Sequence, residues 1–333
     1  MRSTVTLLEV AAAAGVSVAT ASRALAGKDR VSAATVVRVK AEAQRLGYRV
    51  DPIARALREG STRLIGMVVP VIGNPFYSRL LDAVEQVSHA HGFELLVADS
   101  HADPTEEARR LRVLAGRKVD GMLLAPTVSA AARESTVPMP VDVPLVQIDR
   151  VVGPAAADFV GVDNALGIGM LVEHLVSCGA RTMMYVGADD VNNSGRERWQ
   201  AFGAHAEIHG VTTPPPVRDG FDVKTGVAGA EAILRMPERP DAVVAGSDLI
   251  AFGLISRLRE GGVSVPENIL VTGFDGTDMA QLFYPTLTTV VQPIEAIAYE
   301  AVQFLRSRID GSDAPWRSNR IAPALRVAGS TTR

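Results

Sequence analysis

The sequence predicts an α/β chain: a small helix-turn-helix headpiece followed by two lobes, each a doubly wound parallel sheet. Residues 5–47 carry only short helical patterns. From Leu64 onward, apolar strand-like runs alternate with amphipathic helical runs, and there are more such rounds than one sheet holds. A chain of 333 residues is also too long for a single core.

Residues 5–25, VTLLEVAAAAGVSVATASRAL, read as two short helices broken at Gly15. Thr6 with Glu9 three residues on forms a capping-box pattern. Leu7, Val10, Ala11 and Ala14 then give the first helix one apolar face. Gly15 permits the turn, and Ser17 is placed to cap a second helix carrying Thr20, Ser22 and Arg23. Such a pair matches the helix-turn-helix, whose second helix enters the DNA major groove. Taken alone, the segment also fits an ordinary αα-hairpin. Ser32 opens a third helix, SAATVVRVKAEAQRLG, with Val36, Val39, Ala43 and Leu46 inward and Gly47 as its stop. The following IARALREG, capped by Asp51 with Pro52 in its first turn, is too short to be stable alone and reads as a marginally helical linker.

In the body, LIGMVVPVI (64–72) is a continuous apolar run suited to a buried parallel strand, followed by helical FYSRLLDAVEQVSHAHG. FELLVADS, DGMLLAP, VPLVQID, TMMYVGA, DAVVAGS and ILVTGFD read as further strands. Helical patterns lie between them, at PTEEARRLRVLAGRK, GIGMLVEHLVSCG, RERWQAFGAHAEIHG, KTGVAGAEAILRM and DLIAFGLISRLREGG. No Ser/Gly-rich linker separates two halves, so the lobes are expected to exchange strands through short crossovers.

Net charge is −3 but uneven: residues 1–60 hold ten Lys/Arg and five Asp/Glu, a net of +5, leaving −8 for the rest. A basic headpiece on an acidic body suits a nucleic-acid module attached to a domain that does not bind nucleic acid. No apolar run spans a bilayer and no export signal opens the chain, so a cytoplasmic location is expected. Cys178 is the sole cysteine, which excludes intramolecular disulfides and cysteine-based metal sites. GIGMLV (167–172) lacks the third glycine of a dinucleotide fingerprint, and neither a P-loop nor G-x-S-x-G occurs. No enzyme activity, cofactor or metal is expected. His205 and His209 lie at i, i+4 but without H-E-x-x-H, and read as a solvated helix face.

The headpiece, VSAATVVRVKAEAQRLGY, DPIARALR, IGMVVPVIGNPFYSRLLDAVE, VDGMLLAP, VPLVQIDR, VGVDN, GSDLIAFGLI, VTGFDGTD, LTTVVQP and the closing LRVAGSTTR fall in one order along the chain. In these motifs the sequence resembles the lac repressor (LacI/GalR) family of bacterial transcription regulators over nearly its whole length. The resemblance implies a headpiece at 1–49, a hinge helix and linker at 50–62, and a periplasmic-binding-protein-like effector and dimerisation domain at 63–333. Its N-lobe would comprise about 63–161 and 292–321, and its C-lobe about 162–291 and 322–333. It further implies a repressor that binds a near-palindromic operator as a homodimer and answers to a small molecule. A periplasmic solute-binding protein shares the two-lobed body but not the basic headpiece.

For DNA, the resemblance places Val18 and Ala19 at the positions that largely set base choice; being apolar, they suit thymine methyl groups. Thr6, Ser17 and Ser22 suit phosphates. Arg23 suits guanine or a phosphate, and Arg30 or Lys28 compensates for Ala26 where many relatives carry asparagine. Ala54 and Leu57 belong to the hinge helix, where paired Leu57 side chains would wedge into a central step, commonly CpG.

Effectors of open α/β sheets bind beyond the carboxyl ends of the strands. Asn74, Phe76 and Tyr77 follow the first strand, Ser100 ends the second, Asp149 and Arg150 end the fourth, and Asp275 ends GFD. Asp163 and Asn164 sit at a crossover and Gln292 on the return crossover, while Arg198 and Phe221 take family positions for a polar clamp and an aromatic platform. Carboxylates with arginine suit vicinal hydroxyls, which makes a sugar the leading effector and a purine or nucleoside the alternative. Ser247 replaces an asparagine of the family's namesake, which argues against a lactose-like contact set. Whether the effector induces or corepresses stays open. No leucine heptad tail follows GSTTR, so a dimer is expected rather than a tetramer.

Overall fold

The structure, a computed structural model, describes residues 5–25, 31–48, 60–128, 142–152 and 157–332. Of the residues singled out above, Ala26, Lys28, Arg30, Ala54 and Leu57, with most of the hinge motif, lie outside these. The chain divides into two compact units, Met1–Thr62 and Arg63–Arg333.

In the first unit, α1 (Leu7–Ala13) and α2 (Val18–Leu25) meet at 100°, and α3 (Ala33–Leu46) packs on both. Thr6 closes the capping box: its hydroxyl accepts from the Glu9 amide, while the Glu9 carboxylate accepts from the Thr6 amide at 2.7 Å. Ser17 Oγ accepts from the Thr20 amide at 3.1 Å, and Ser32 caps α3. Gly47 ends α3 at φ 70°, a left-handed conformation that side chains other than glycine adopt at a cost. Val10, Ala11, Ala14, Ala21, Ala24, Val39 and Ala43 form the buried core, with Leu7, Val36 and Leu46 packed around it. The small residues where the helices meet let the backbones approach closely.

The second unit is two lobes, each a six-stranded sheet. The first is built from β1 (Leu64–Val69), β2 (Glu94–Asp99), β3 (Gly121–Leu124), β4 (Leu145–Ile148), β5 (Asp158–Val162) and β11 (Ser318–Ile321). Their order is β11-β5-β4-β3-β1-β2, and every pairing is parallel. The second is built from β6 (Met183–Ala188), β7 (Val217–Asp219), β8 (Ala242–Ala245), β9 (Leu270–Asp275), β10 (Thr288–Val291) and β12 (Ala324–Arg326). Its order is β12-β10-β9-β8-β6-β7, antiparallel only at β12. The chain passes between lobes after β5, β10 and β11.

Helices α4 (Pro75–Ala90), α5 (Pro104–Gly116) and α11 (Ile294–Ile309) cover the first sheet. The second lobe carries α6 (Asn164–Ser177), α7 (Asn193–Ile208), α8 (Val223–Leu234), α9 (Asp248–Glu260) and the short α10 (Met279–Leu282). Central strands such as β1, β6 and β9 are buried almost end to end, as strands covered on both faces must be. No single helix among the described residues is long and apolar enough to cross a membrane.

The structure goes beyond the sequence reading, which names none of β5, β7, β10, β11, β12, α10 and α11 as elements and starts one helix late. The segment TTPPPVRD contributes β7, three residues that pair with the edge of β6. And α7 starts at Asn193 rather than Arg196, capped by Asn192, whose Oδ1 accepts from the Gly195 amide at 2.9 Å.

Candidate functional site

On α2, Ala21 and Ala24 face the core while Val18, Ala19 and Arg23 are exposed and Ser22 is half-buried. Val18 and Ala19 offer no side-chain donor or acceptor, so the leading turn presents methyl groups, with Arg23 one turn on as a cation. The hydroxyl of Thr6 is already bonded to the Glu9 carboxylate (2.9 Å), and that of Ser17 to Thr20 (2.8 Å).

In the larger unit, one cavity between the lobes gathers Asn74, Phe76, Tyr77, Asp149, Arg198, Phe221, Asp275 and Gln292, together with Arg150 and Ser194. The space among them, open solvent included, is about 270 Å³. Each residue arrives from a strand's carboxyl end or the helix start beyond it. Asn74 caps α4, its Oδ1 accepting from the Phe76 amide at 2.9 Å, and so sets Phe76 and Tyr77 in the first turn. Asp149 follows β4, Asp275 ends β9, Gln292 follows β10, and Ser194 and Arg198 lie in the first two turns of α7.

Ser100 does not join this group. It is fully buried, with Oγ bonded to the Val69 carbonyl (3.3 Å) and Thr127 Oγ1 (3.1 Å), and it joins β2 to the loop after β3. Asp163 caps α6, its Oδ1 accepting from the Leu166 amide at 3.0 Å. Ser194 was missed in the sequence because Asn-Asn-Ser-Gly reads as a turn.

The cavity's chemistry is two carboxylate–guanidinium pairs, one from each lobe. Arg150 Nε is 3.6 Å from Asp149 Oδ2, and Tyr77 donates to that same oxygen at 2.8 Å. Arg198 Nη1 is 3.6 Å from Asp275 Oδ1, which also accepts from Gln292 Nε2 at 2.8 Å. Arg198 is held rigidly: Nε donates to Asn164 Oδ1 (2.8 Å), Nη1 to the Gly246 carbonyl (2.7 Å), and its Cζ lies 3.7 Å over the Phe274 ring. Phe221 faces both guanidiniums, at 5.3 Å from Arg150 and 5.4 Å from Arg198.

Burial pushes the Asp275 carboxyl well above the usual range, against the pull of Arg198, and raises the Tyr77 phenol likewise. Asp149 (φ 64°) and Asp275 (φ 117°) both hold a left-handed backbone, strain of the kind that gathers at ligand clamps. Arg150 Nε and Gln292 Oε1 are buried with no hydrogen-bond partner among the described residues, and such atoms are costly unless a polar group meets them.

Across the cleft, Asn193 Oδ1 accepts from the Val151 amide (2.9 Å) and Ser194 donates to the Asp149 carbonyl (3.4 Å). Arg320 of β11 forms a two-fold bridge to Glu197 of α7, both contacts at 2.8 Å. Burial would raise the Glu197 carboxyl, but Arg320, Asn164 and Asn193 together hold it below its usual range. The lobes are therefore joined by a few polar contacts that a ligand can reinforce or disturb.

Residues 6–51 match the model of bacterial regulatory proteins of the lacI family, and residues 172–331 match the periplasmic binding protein-like domain. The HTH-type transcriptional regulator PtxS of Pseudomonas plecoglossicida is 33% identical over 99% of this chain and 96% of its own. The lac repressor dimer bound to operator and the anti-inducer ONPF superposes with a TM-score of 0.88 over 99% of this chain and all of that one, at 22% identity. The transcriptional regulator CelR in complex with cellobiose gives a TM-score of 0.73 at 29% identity, covering 98% and 99% of the two chains. With a helix-turn-helix at its start and a two-lobed effector-binding body behind it, the chain belongs to the lacI family of bacterial transcription regulators and is not an enzyme.

Proposed function

We propose that this regulator is a repressor that binds a near-palindromic operator as a homodimer in the cytoplasm, under control of a sugar held between its lobes. In this reading residues 1–49 bind DNA, 50–62 form the hinge, and 63–333 sense effector and dimerise. One observation carries the effector assignment: Asp149 with Arg150 and Asp275 with Arg198 meet beside Phe221 in one cavity. Carboxylates and guanidinium forks each make two directed hydrogen bonds, which suits adjacent hydroxyls, and an aromatic face suits the apolar side of a sugar ring. That CelR is seen with cellobiose supports a sugar over a purine.

Exposed apolar residues give a second copy something to cover. Val71, Ile72, Val97 and Val113 lie on the first lobe, and Met279, Leu282 and Tyr284 on the second, with Leu282 85% and Tyr284 83% exposed. An effector that binds one lobe arrangement better than the other shifts operator affinity by linkage, with the sign set by which arrangement binds DNA.

Selecting sites from a random duplex pool with the full chain is expected to enrich a near-palindrome centred on CpG. Calorimetric titration should then show sugar binding and no purine binding. Failure to enrich any site, with or without sugars and purines, overturns the regulator mechanism; purine binding without sugar binding overturns the effector class. On the selected operator, Arg23→Ala should cost about 1–3 kcal/mol of affinity. If Arg23 reads guanine, base preference at one position relaxes. If it binds phosphate, affinity falls evenly and the salt dependence shrinks. Leu57→Ala should weaken binding at least about tenfold and reduce bending, because the unstacking wedge is lost. Unchanged affinity and bending would remove Leu57 from the mechanism.

A further inference from the structure

Helices α6 and α7 both begin at the cleft and run side by side away from it. Toward their far ends they bring together three metal-ligand side chains: Glu173 on α6, His205 in the last turn of α7, and His209 at its C-cap. One ligand atom from each lies within 4.8 Å of the other two. His205 and His209 are one helical turn apart, and the carboxylate comes from the neighbouring helix.

His205 does not sit on a solvated face, as the sequence suggests. It is half-buried, and its ring lies across α6 at Gly169. A Cβ at 169 would come within 2.6 Å of the ring's Cε1 and 2.7 Å of its Nε2, so only glycine leaves room for the ring there. Glu173 stands one turn further along the same helix. His205 Nδ1 is buried without a hydrogen-bond partner among the described residues, and a buried ring nitrogen is costly unless a polar group or an ion meets it. The carboxyl-terminal ends of helices also favour positive charge.

We propose that Glu173, His205 and His209 form a binding site for a divalent transition-metal ion, zinc foremost, tying α6 to α7. Two imidazoles and a carboxylate are the donor set of a borderline-soft cation; magnesium and calcium prefer all-oxygen cages. Tetrahedral zinc, with bonds of about 2.0–2.1 Å, requires donor atoms about 3.3 Å apart. The three donor atoms lie within 4.8 Å of one another, and on metal binding the exposed Glu173 and His209 side chains would turn to close that distance. The ion would brace the same two helices whose leading turns carry Asn164 and Arg198. Elsewhere His174 Nε2 lies 2.8 Å from Thr331 Oγ1 and 3.7 Å from the Cys178 sulfur, which provides only two metal-ligand side chains.

The test is calorimetric titration of zinc into the full-length, chelator-treated chain, with the visible absorption of added cobalt as a second readout. One site per chain with a micromolar Kd is expected, and the thermal midpoint should rise with zinc. His209→Gln and Glu173→Gln change exposed side chains and should fold normally while binding at least tenfold more weakly. Gly169→Ala removes no ligand but displaces His205, and should weaken binding too. His174→Gln should leave it unchanged. The site is refuted if the wild-type chain binds no zinc, if His209→Gln and Glu173→Gln bind as well as wild type, or if His174→Gln is the variant that loses the metal.

Discussion

Arg198→Met should weaken binding of the effector that the wild-type protein recognises by about 30-fold to 5,000-fold, the range for truncating a buried, hydrogen-bonded charge. Arg198 is 3% exposed and fixed at both ends of its guanidinium, by Asn164 and by the Gly246 carbonyl. Phe274 beneath it supplies a flat stacking surface. Methionine keeps much of the volume and none of the fork. The fold should survive, because burial already pushes Asp275 toward its neutral form, and losing Arg198 lets that carboxyl take up a proton instead of standing charged and unpaired. Operator affinity without effector should therefore stay near wild type while the response to effector disappears. The check is titration of effector into both proteins alongside thermal unfolding. Effector binding within threefold of wild type would show that Arg198 only shapes the lobe.

The alternation of strands and helices was legible because it is written locally, in apolar runs such as LIGMVV and AVVA bounded by turn residues. Runs of this kind end at Asp149 and Asp275, so the carboxylates of the cleft could be named from sequence. Ser100 has the same credentials, yet its hydroxyl, just after the edge strand β2, is taken up by the Val69 carbonyl and Thr127. Which way a strand-end side chain points depends on the neighbouring crossover, and no local pattern encodes it. Ser194 was hidden for another reason: asparagine, serine and glycine are poor helix formers, and only the Asn192 cap and the packing of α7 on α6 make that segment helical. The same limit applies to His205, whose surroundings are set by Gly169 on another helix. β7 exists only because the edge of β6 offers a template to three residues after a run of prolines.

Asp158→Ala should destabilise the larger unit by about 3–5 kcal/mol, the cost of leaving buried partner charges uncompensated. Asp158 is completely buried at the start of β5 and takes Arg308 from both sides, at 2.9 and 3.0 Å. It also accepts from the Arg317 amide at 2.7 Å and from Arg317 Nη2 at 2.9 Å. One carboxylate thus fastens β5 to the end of α11 and to the start of β11, the strand from which the chain crosses to the other lobe. Removing it takes from Arg308, only 8% exposed, its hydrogen-bonded carboxylate and leaves Asp313 as a more distant counter-charge. The melting midpoint should fall by about 6–20 °C at the usual 2–4 °C per kcal/mol for a unit of this size. Burial alone would raise the Asp158 carboxyl, but the two arginines and the Arg317 amide outweigh it and hold it at about 2. A carboxyl whose folded pKa is depressed contributes stability above its unfolded value, near 4, and loses that contribution as pH falls through the folded value. Solvent reaches Arg317, 35% exposed, so the pH-dependent part is up to about 2 kcal/mol. The stability gap between wild type and Asp158→Asn, measured by urea unfolding, should therefore be full at pH 7 and narrow between pH 4 and pH 2. A gap that stays constant over that range would mean that Asp158 acts through packing alone.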